Sequence, residues 1–181
     1  PRGMETEPNL AGTSQLRAYF RDRQGHNIGV SVSNDEGRTW SRARRTGIPN
    51  NNSGIQAAVS KNGTVVLLFN NRNGQARWPM SIGLSYDGGK TFKYVRDLEL
   101  GKYSDSTIVA LKQAASLPFD RVISAGGVYD YVRDGRQEYS YPSVIFASDG
   151  LIHVSYTFRR VSVKHVVVNE QWIKMGGTLG M

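Results

Sequence analysis

The sequence predicts an all-β chain of about three antiparallel sheets, and three observations carry that reading. One eight-residue pattern occurs twice, an alternating strand precedes each copy, and two further segments read as strand, turn, strand. The first copy is Ser33-Asn34-Asp35-Glu36-Gly37-Arg38-Thr39-Trp40, and the second is Ser85-Tyr86-Asp87-Gly88-Gly89-Lys90-Thr91-Phe92. Both fit Ser-x-Asp-x-Gly-x-Thr-aromatic, and Asp35 and Asp87 lie 52 residues apart.

The elements follow in order. Residues 15–20 read as a strand, and residues 28–32 alternate into the first Asp turn. Asp followed two residues later by Gly suits a tight turn in which the carboxylate accepts nearby backbone N–H groups. The aromatic residue then anchors the hairpin exit. Asp35 and Asp87 are therefore expected to hold turns, not to catalyse. Residues 54–59, the turn Lys61-Asn62-Gly63 and residues 64–69 form a hairpin, and residues 81–84 lead into the second Asp turn. Residues 102–137 break the rhythm as an insertion, with helix-forming composition over 107–115 and an extra hairpin around Gly126-Gly127 and Asp134-Gly135. Residues 142–147, the turn Ser148-Asp149-Gly150, residues 151–156 and residues 161–168 give a last three-strand run. The spacing predicts about three four-stranded antiparallel blades. Three blades do not close a ring and leave sheet edges bare, so a further half of the structure is expected, from additional sequence or from a partner chain.

Composition narrows the function classes. The 181 residues are 39% hydrophobic and 21% charged, ordinary values for a globular domain with a sizeable core. There is no cysteine, so neither a disulfide framework nor a thiolate metal site is available. No apolar stretch approaches the roughly 18 residues of a membrane span, and the opening Pro-Arg-Gly-Met lacks the basic-then-apolar pattern of a secretory leader. The net charge of +8 is compatible with nucleic acid, anionic surfaces or acidic sugars. Its basic residues are scattered apart from Arg42, Arg44 and Arg45, and there is no recognition-helix pattern, so nucleic acid is not expected as a partner. His26, His153 and His165 have no metal-ligand spacing, and neither a metal nor another cofactor is expected.

A longer succession adds specificity: Ile48-Pro49-Asn50-Asn51-Asn52-Ser53-Gly54, Asn70-Asn71, Arg77, the second Asp turn, and then Tyr139-Ser140-Tyr141-Pro142. In that order the chain resembles the C-terminal half of bacterial-type and trypanosomatid-like sialidases with Asp-box (BNR) repeats, a six-bladed β-propeller superfamily. The resemblance spans nearly the whole chain, with residues 1–181 as about blades 4–6 and the insertion at about 102–137 as the main departure. It implies three arginines gripping the sialic acid carboxylate, a Tyr nucleophile partnered by a Glu, and an Asp acid/base. Arg21, in Tyr19-Phe20-Arg21-Asp22, matches the second arginine, and Arg77, in Gln75-Ala76-Arg77-Trp78, the third, about one blade on. Tyr139 matches the nucleophile, with Tyr103-Ser104 ranked below it, and Glu7 matches the activating carboxylate, with Glu5 in reserve. The first arginine and the acid/base Asp are expected in an N-terminal half. Ser33, Asp35, Gly37, Trp40, Ser85, Asp87, Gly89 and Phe92 are the structural Asp-box residues.

These residue types suit the chemistry. A guanidinium fork is permanently charged and binds a carboxylate bidentately. A phenol approaches an anionic sugar without the charge repulsion a carboxylate nucleophile would meet, and it needs a base to take its proton. The expected function is therefore part of an exo-acting sialidase-like glycoside hydrolase on sialoglycans or other acidic sugars. The alternative is a catalytically silent propeller that binds glycans or proteins.

Overall fold

In the computed structural model, which describes residues 15–100, 137–160 and 162–176, the chain forms three antiparallel sheets in chain order. The first joins β1 (Leu16–Phe20), β2 (Asn27–Ser33) and β3 (Arg44–Pro49). The second joins β4 (Gln56–Val59), β5 (Val65–Phe69), β6 (Met80–Ser85) and β7 (Tyr94–Glu99). The third joins β8 (Tyr139–Phe146), β9 (Ile152–Phe158) and β10 (Ser162–Val168). Each strand pairs with its neighbour in sequence, so every sheet is a meander. The middle sheet has the four strands expected of a blade, whereas each outer sheet has three among the described residues. The helix expected over 107–115 and the hairpin expected near Gly126-Gly127 and Asp134-Gly135 lie outside the described residues.

Two strands have no counterpart in the sequence reading. β3 and β7 each follow an Asp-box turn and each form an outer edge of their sheet. Their sequences, Arg-Arg-Thr-Gly-Ile-Pro and Tyr-Val-Arg-Asp-Leu-Glu, are rich in charge because an edge strand keeps one side toward water.

β5 shows how the sheets stack. All five of its residues, Val65-Val66-Leu67-Leu68-Phe69, are buried, and successive side chains point to opposite faces. Val65, Leu67 and Phe69 pack with Ile28 and Ile48 of the first sheet. Val66 and Leu68 pack with Val144, Val154 and Tyr156 of the third. The middle sheet is therefore covered on both faces, each fully buried side chain contributing about 1.5–3 kcal/mol. The third sheet is not. Its far face leaves Ile145, Val163 and Val167 exposed. Among the described residues, three sheets stand side by side and do not close a ring.

A short helix, α1 (Glu170–Lys174), follows β10. Asn169 caps it by accepting the Trp172 N–H, and Ile173 is buried in the core. The Arg96 guanidinium stacks 3.9 Å from the Trp172 ring centroid and donates to the Trp172 carbonyl, fastening the helix to β7. Among the described residues, no helix is long and apolar enough to cross a membrane.

Candidate active site

The two Asp boxes are closed hydrogen-bonding units. Ser33 Oγ donates to Asp35 and accepts from the Gly37 N–H, while the Asp35 carboxylate accepts from the Thr39 N–H (2.8 Å) and hydroxyl (2.5 Å). Trp40 Nε1 donates to the Gly37 carbonyl. The second box repeats this with Ser85, Asp87, Gly89 and Thr91, and its Phe92 is buried. The Thr39 hydroxyl and N–H bonds lower Asp35 from 3.8 to about 2. Burial pushes Asp87 upward, but its bonds from Thr91, Ser85 and Lys90 outweigh that and hold it below the usual carboxylate value. Carboxylates so fully bonded stay ionised and offer no proton at neutral pH. The second box also touches the first sheet: Arg17 donates to the Gly88 carbonyl and Tyr19 to the Gly89 carbonyl.

Away from the boxes, three buried asparagines hold the strand ends that carry the expected site residues. Asn50 Oδ1 accepts from the Asp22 N–H, beside Arg21. Asn51 donates to the Ala76 carbonyl, beside Arg77, at 2.6 Å. Asn70 donates to the carbonyls of both Pro79 and Tyr139. Each amide spans two segments of chain that would otherwise leave backbone groups unpaired. Among the described residues, Asn50 Nδ2, Asn52 Oδ1, Ser53 Oγ, Asn70 Oδ1 and Arg72 Nη1 are buried without a hydrogen-bond partner.

The expected nucleophile, Tyr139, is not presented at this site. Its side chain is 0% exposed, its ring packs against Tyr156 and Phe158, and its hydroxyl donates to Gln137. The reason is a bulge. β8 and β9 pair Ser140 with Thr157 and next Ser143 with Ser155, so β8 carries one extra residue there. In an unbroken strand Tyr139 and Tyr141 would share a face. The extra residue breaks that alternation and re-aims Tyr141, which is 63% exposed and has φ 51°. A bulky residue in the left-handed region is strained, and the surrounding pairing holds it there.

Tyr141 faces the arginines. The Arg77 Cζ lies 5.5 Å from its ring centroid. Hydrogen bonding and charge from Arg77 pull the phenol below its ordinary pKa; slight burial opposes this, and the charges of Arg160 and Arg21 add to it. Arg21 is exposed just past the end of β1. The structure thus places Arg77 against one tyrosine, Tyr141, on which the Arg21 charge also acts. Glu7, Glu5 and Tyr103 lie outside the described residues.

Two site residues carried no signal in the sequence reading. Glu138, 4% exposed, accepts from Arg160 Nε at 2.8 Å, Arg77 Nη1 at 3.3 Å and Ser140 Oγ at 3.3 Å. Arg160 sits in the β9–β10 turn. Neither lies at a repeat-matched position, and their nearness to Arg77 appears only once β8 pairs with β9. Among the described residues, no group of three or more His, Cys, Asp or Glu side chains is placed to hold a metal ion.

The comparisons with known proteins fit this picture. The family model described as BNR repeat-like domain matches residues 3–154. Among solved structures, the Hadza microbial sialidase Hz136 aligns at TM-score 0.62 and 16% identity, covering 94% of this chain and 28% of that one. A leech intramolecular trans-sialidase complexed with 2,7-anhydro-Neu5Ac aligns at TM-score 0.60 and 13% identity, covering 95% of this chain and 24% of that one. The NanB sialidase of Streptococcus pneumoniae aligns at TM-score 0.57 and 17% identity, covering 94% and 23%. The chain therefore spans only about a quarter of the length of these structures, and at such identities the likeness is one of fold. No curated protein matches it significantly. The fold is that of part of a sialidase-like propeller, and the chain belongs to the BNR repeat-like domain family.

Proposed function

We propose that this chain forms part of a glycoside hydrolase of sialidase type, which removes terminal sialic acid or another acidic sugar. The observation that carries the reading is the strained, exposed Tyr141 facing Arg77, with the charges of Arg160 and Arg21 also acting on its phenol. Arg21 and Arg77 would grip the sugar carboxylate. Tyr141 would be the nucleophile in place of the buried Tyr139.

The chemistry follows from charge. The reacting carbon of such a sugar bears a carboxylate, so an anionic nucleophile is repelled, whereas a phenol among cations is not. The Tyr141 oxygen bonds to the anomeric carbon as the glycosidic bond breaks. The phenolic proton passes to a carboxylate, for which Glu7 remains the proposed residue. The leaving alcohol takes its proton from an acid supplied by the remainder of the propeller. Water then cleaves the aryl glycoside, and two displacements give net retention. An N-terminal half carrying that acid and a further arginine is part of the proposal. It accords with the exposed Ile145, Val163 and Val167 on the open face of the third sheet.

The test is an assay of the complete protein containing this chain on a fluorogenic sialoside and on the matching neutral galactoside, with NMR of the first-formed sugar. Hydrolysis of the sialoside with retention, and none of the galactoside, is expected. Equal cleavage of both, or inversion, contradicts the assignment. Binding of sialosides without any turnover would favour the silent glycan-binding propeller instead.

A further inference from the structure

We propose that the cleft between the first sheet and the second Asp-box turn binds a sulfate or phosphate ester group carried on a sugar. The cleft shares no lining residue with the Tyr141 site, so the inference stands apart from the reading of that site.

Strand register builds the cleft. Side chains alternate along a strand, so Arg17 and Tyr19 share one face of β1. Their partners across the sheet are Val32 and Val30, and Val30 is paired in turn with Arg44 of β3. Arg17, Tyr19 and Arg44 therefore stand on the same face. The second Asp-box turn meets that face. Arg17 Nε donates to the Gly88 carbonyl at 3.1 Å, and the Tyr19 hydroxyl donates to the Gly89 carbonyl at 2.5 Å. These bonds set the turn against β1 and leave a cleft of about 160 Å³ between Gly89 and Lys90 on one side and β3 on the other.

Four cations line it, Arg17, Arg44, Arg45 and Lys90, and no carboxylate does. Two nearby carboxylates answer part of this charge. Asp22 lies 3.6 Å from Arg45, and Asp87 accepts from the Lys90 N–H within the box turn. With both counted, two of the four positive charges remain in excess. Arg44 and Lys90 are exposed, and among the described residues their side chains make no hydrogen bond, ion pair or ring contact. Arg17 is held by its Nε and by an Nη2 bond to Gln15 Oε1 at 3.3 Å, which fixes the guanidinium plane and leaves Nη1 for a ligand. Cations gathered in this way repel one another, and an anion between them removes that repulsion. A tetrahedral oxyanion accepts from several donors at once, which suits cations reaching in from two sheets.

The lining also narrows what carries the anion. It has no aromatic ring on which a nucleobase would stack, and its Val30 is only 4% exposed, so it offers a bilayer no apolar surface. Beside the cations stand Thr46, Gly47 and Gly89, small residues that leave room for a hydroxyl-rich carrier.

The test is calorimetric titration of the complete protein containing this chain. The probes are a sulfate ester of N-acetylglucosamine, a phosphate ester of the same sugar, the neutral sugar, inorganic sulfate, inorganic phosphate, a phosphoserine peptide and a short oligothymidylate. Variants are Arg44→Gln, Lys90→Gln and the two combined, with Arg38→Gln on the exposed first Asp box as a control of equal charge change. Arg44 and Lys90 hold nothing else in place, so these variants should melt with the wild type when no probe is present. One-site binding of a sugar ester is expected, without binding of the neutral sugar, and the tighter of the two esters names the anion. Its affinity should fall about fivefold in each single variant, the worth of one exposed charged contact, and further in the combined one. It should hold in Arg38→Gln. An equal loss in Arg38→Gln reveals attraction to overall charge alone and overturns the site, as does an absence of saturable binding. Inorganic sulfate or phosphate binding as tightly as its ester overturns the role of the sugar. Tighter binding of the peptide or the oligothymidylate overturns the choice of carrier.

Discussion

The Asp-box turns and the Tyr141 bulge differ in how completely their polar groups are satisfied. In the boxes, each carboxylate is bonded within its own turn, by the N–H and hydroxyl of the threonine four residues on and by the serine two residues before. At the bulge, a tyrosine stands in left-handed backbone, mostly exposed, facing the Arg77 guanidinium from another segment. Residue type alone points the other way, since two acidic residues in a hydrolase-like chain invite a catalytic role. The geometry makes those acids staples and puts chemical potential where a local rule is broken.

The largest expected effect separates the two tyrosines of β8. If the proposed activity holds, Tyr141→Phe in the complete protein lowers kcat by about a thousandfold, within the range for loss of a positioned catalytic group. Tyr139→Phe leaves kcat nearly unchanged and costs about 1 kcal/mol, the worth of one neutral hydrogen bond. Steady-state kinetics on a fluorogenic sialoside and thermal melts measure both. The box region inverts that pattern. Gly89→Ala forces a side chain into φ 78° against the Tyr19 hydroxyl, and destabilises the chain by about 2–3 kcal/mol. The Tyr141 titration stays where it was. Asp87→Ala leaves the Thr91 N–H and hydroxyl unpaired and costs about 1–2 kcal/mol, tempered because the turn is solvent-facing. Urea titration reads both.

The smallest effect is in pH. Asp35 and Asp87 have folded-state values below the ordinary 3.8, so their contribution is present above that value. It is lost as the pH falls from about 4 toward 2 and the folded carboxylates take up protons. In Asp35→Ala, melting temperature should fall less steeply over that window than in the wild-type chain. An identical slope would show that the Asp35 bonds do not persist in solution.

Much of the fold was legible because its signals are local. Lys61-Asn62-Gly63 and Ser148-Asp149-Gly150 mark the β4–β5 and β8–β9 hairpins, and each Asp box follows its strand directly. β3 and β7 were hidden because edge strands tolerate Arg44, Arg45, Arg96 and Asp97, which a strand pattern rejects. Arg21 and Arg77 could be singled out from their place in the repeat, their role at the site being part of the proposal, whereas the exposed position of Tyr141 could not. Its orientation depends on one extra residue opposite β9, a property of register that a single strand does not carry. The Glu138–Arg160 pair was hidden for the same reason, since it joins two strands through a turn of two left-handed arginines.

Covalent trapping tests the central claim most directly. The complete protein is incubated with a fluorinated sialyl fluoride, a reagent that traps a glycosyl-enzyme where the proposed mechanism operates, and the digested protein is mapped by mass spectrometry. An adduct on the peptide holding Tyr139 and Tyr141, placed by fragmentation on the Tyr141 oxygen, is predicted. An adduct on Tyr139, or on a residue outside β8, would contradict the account.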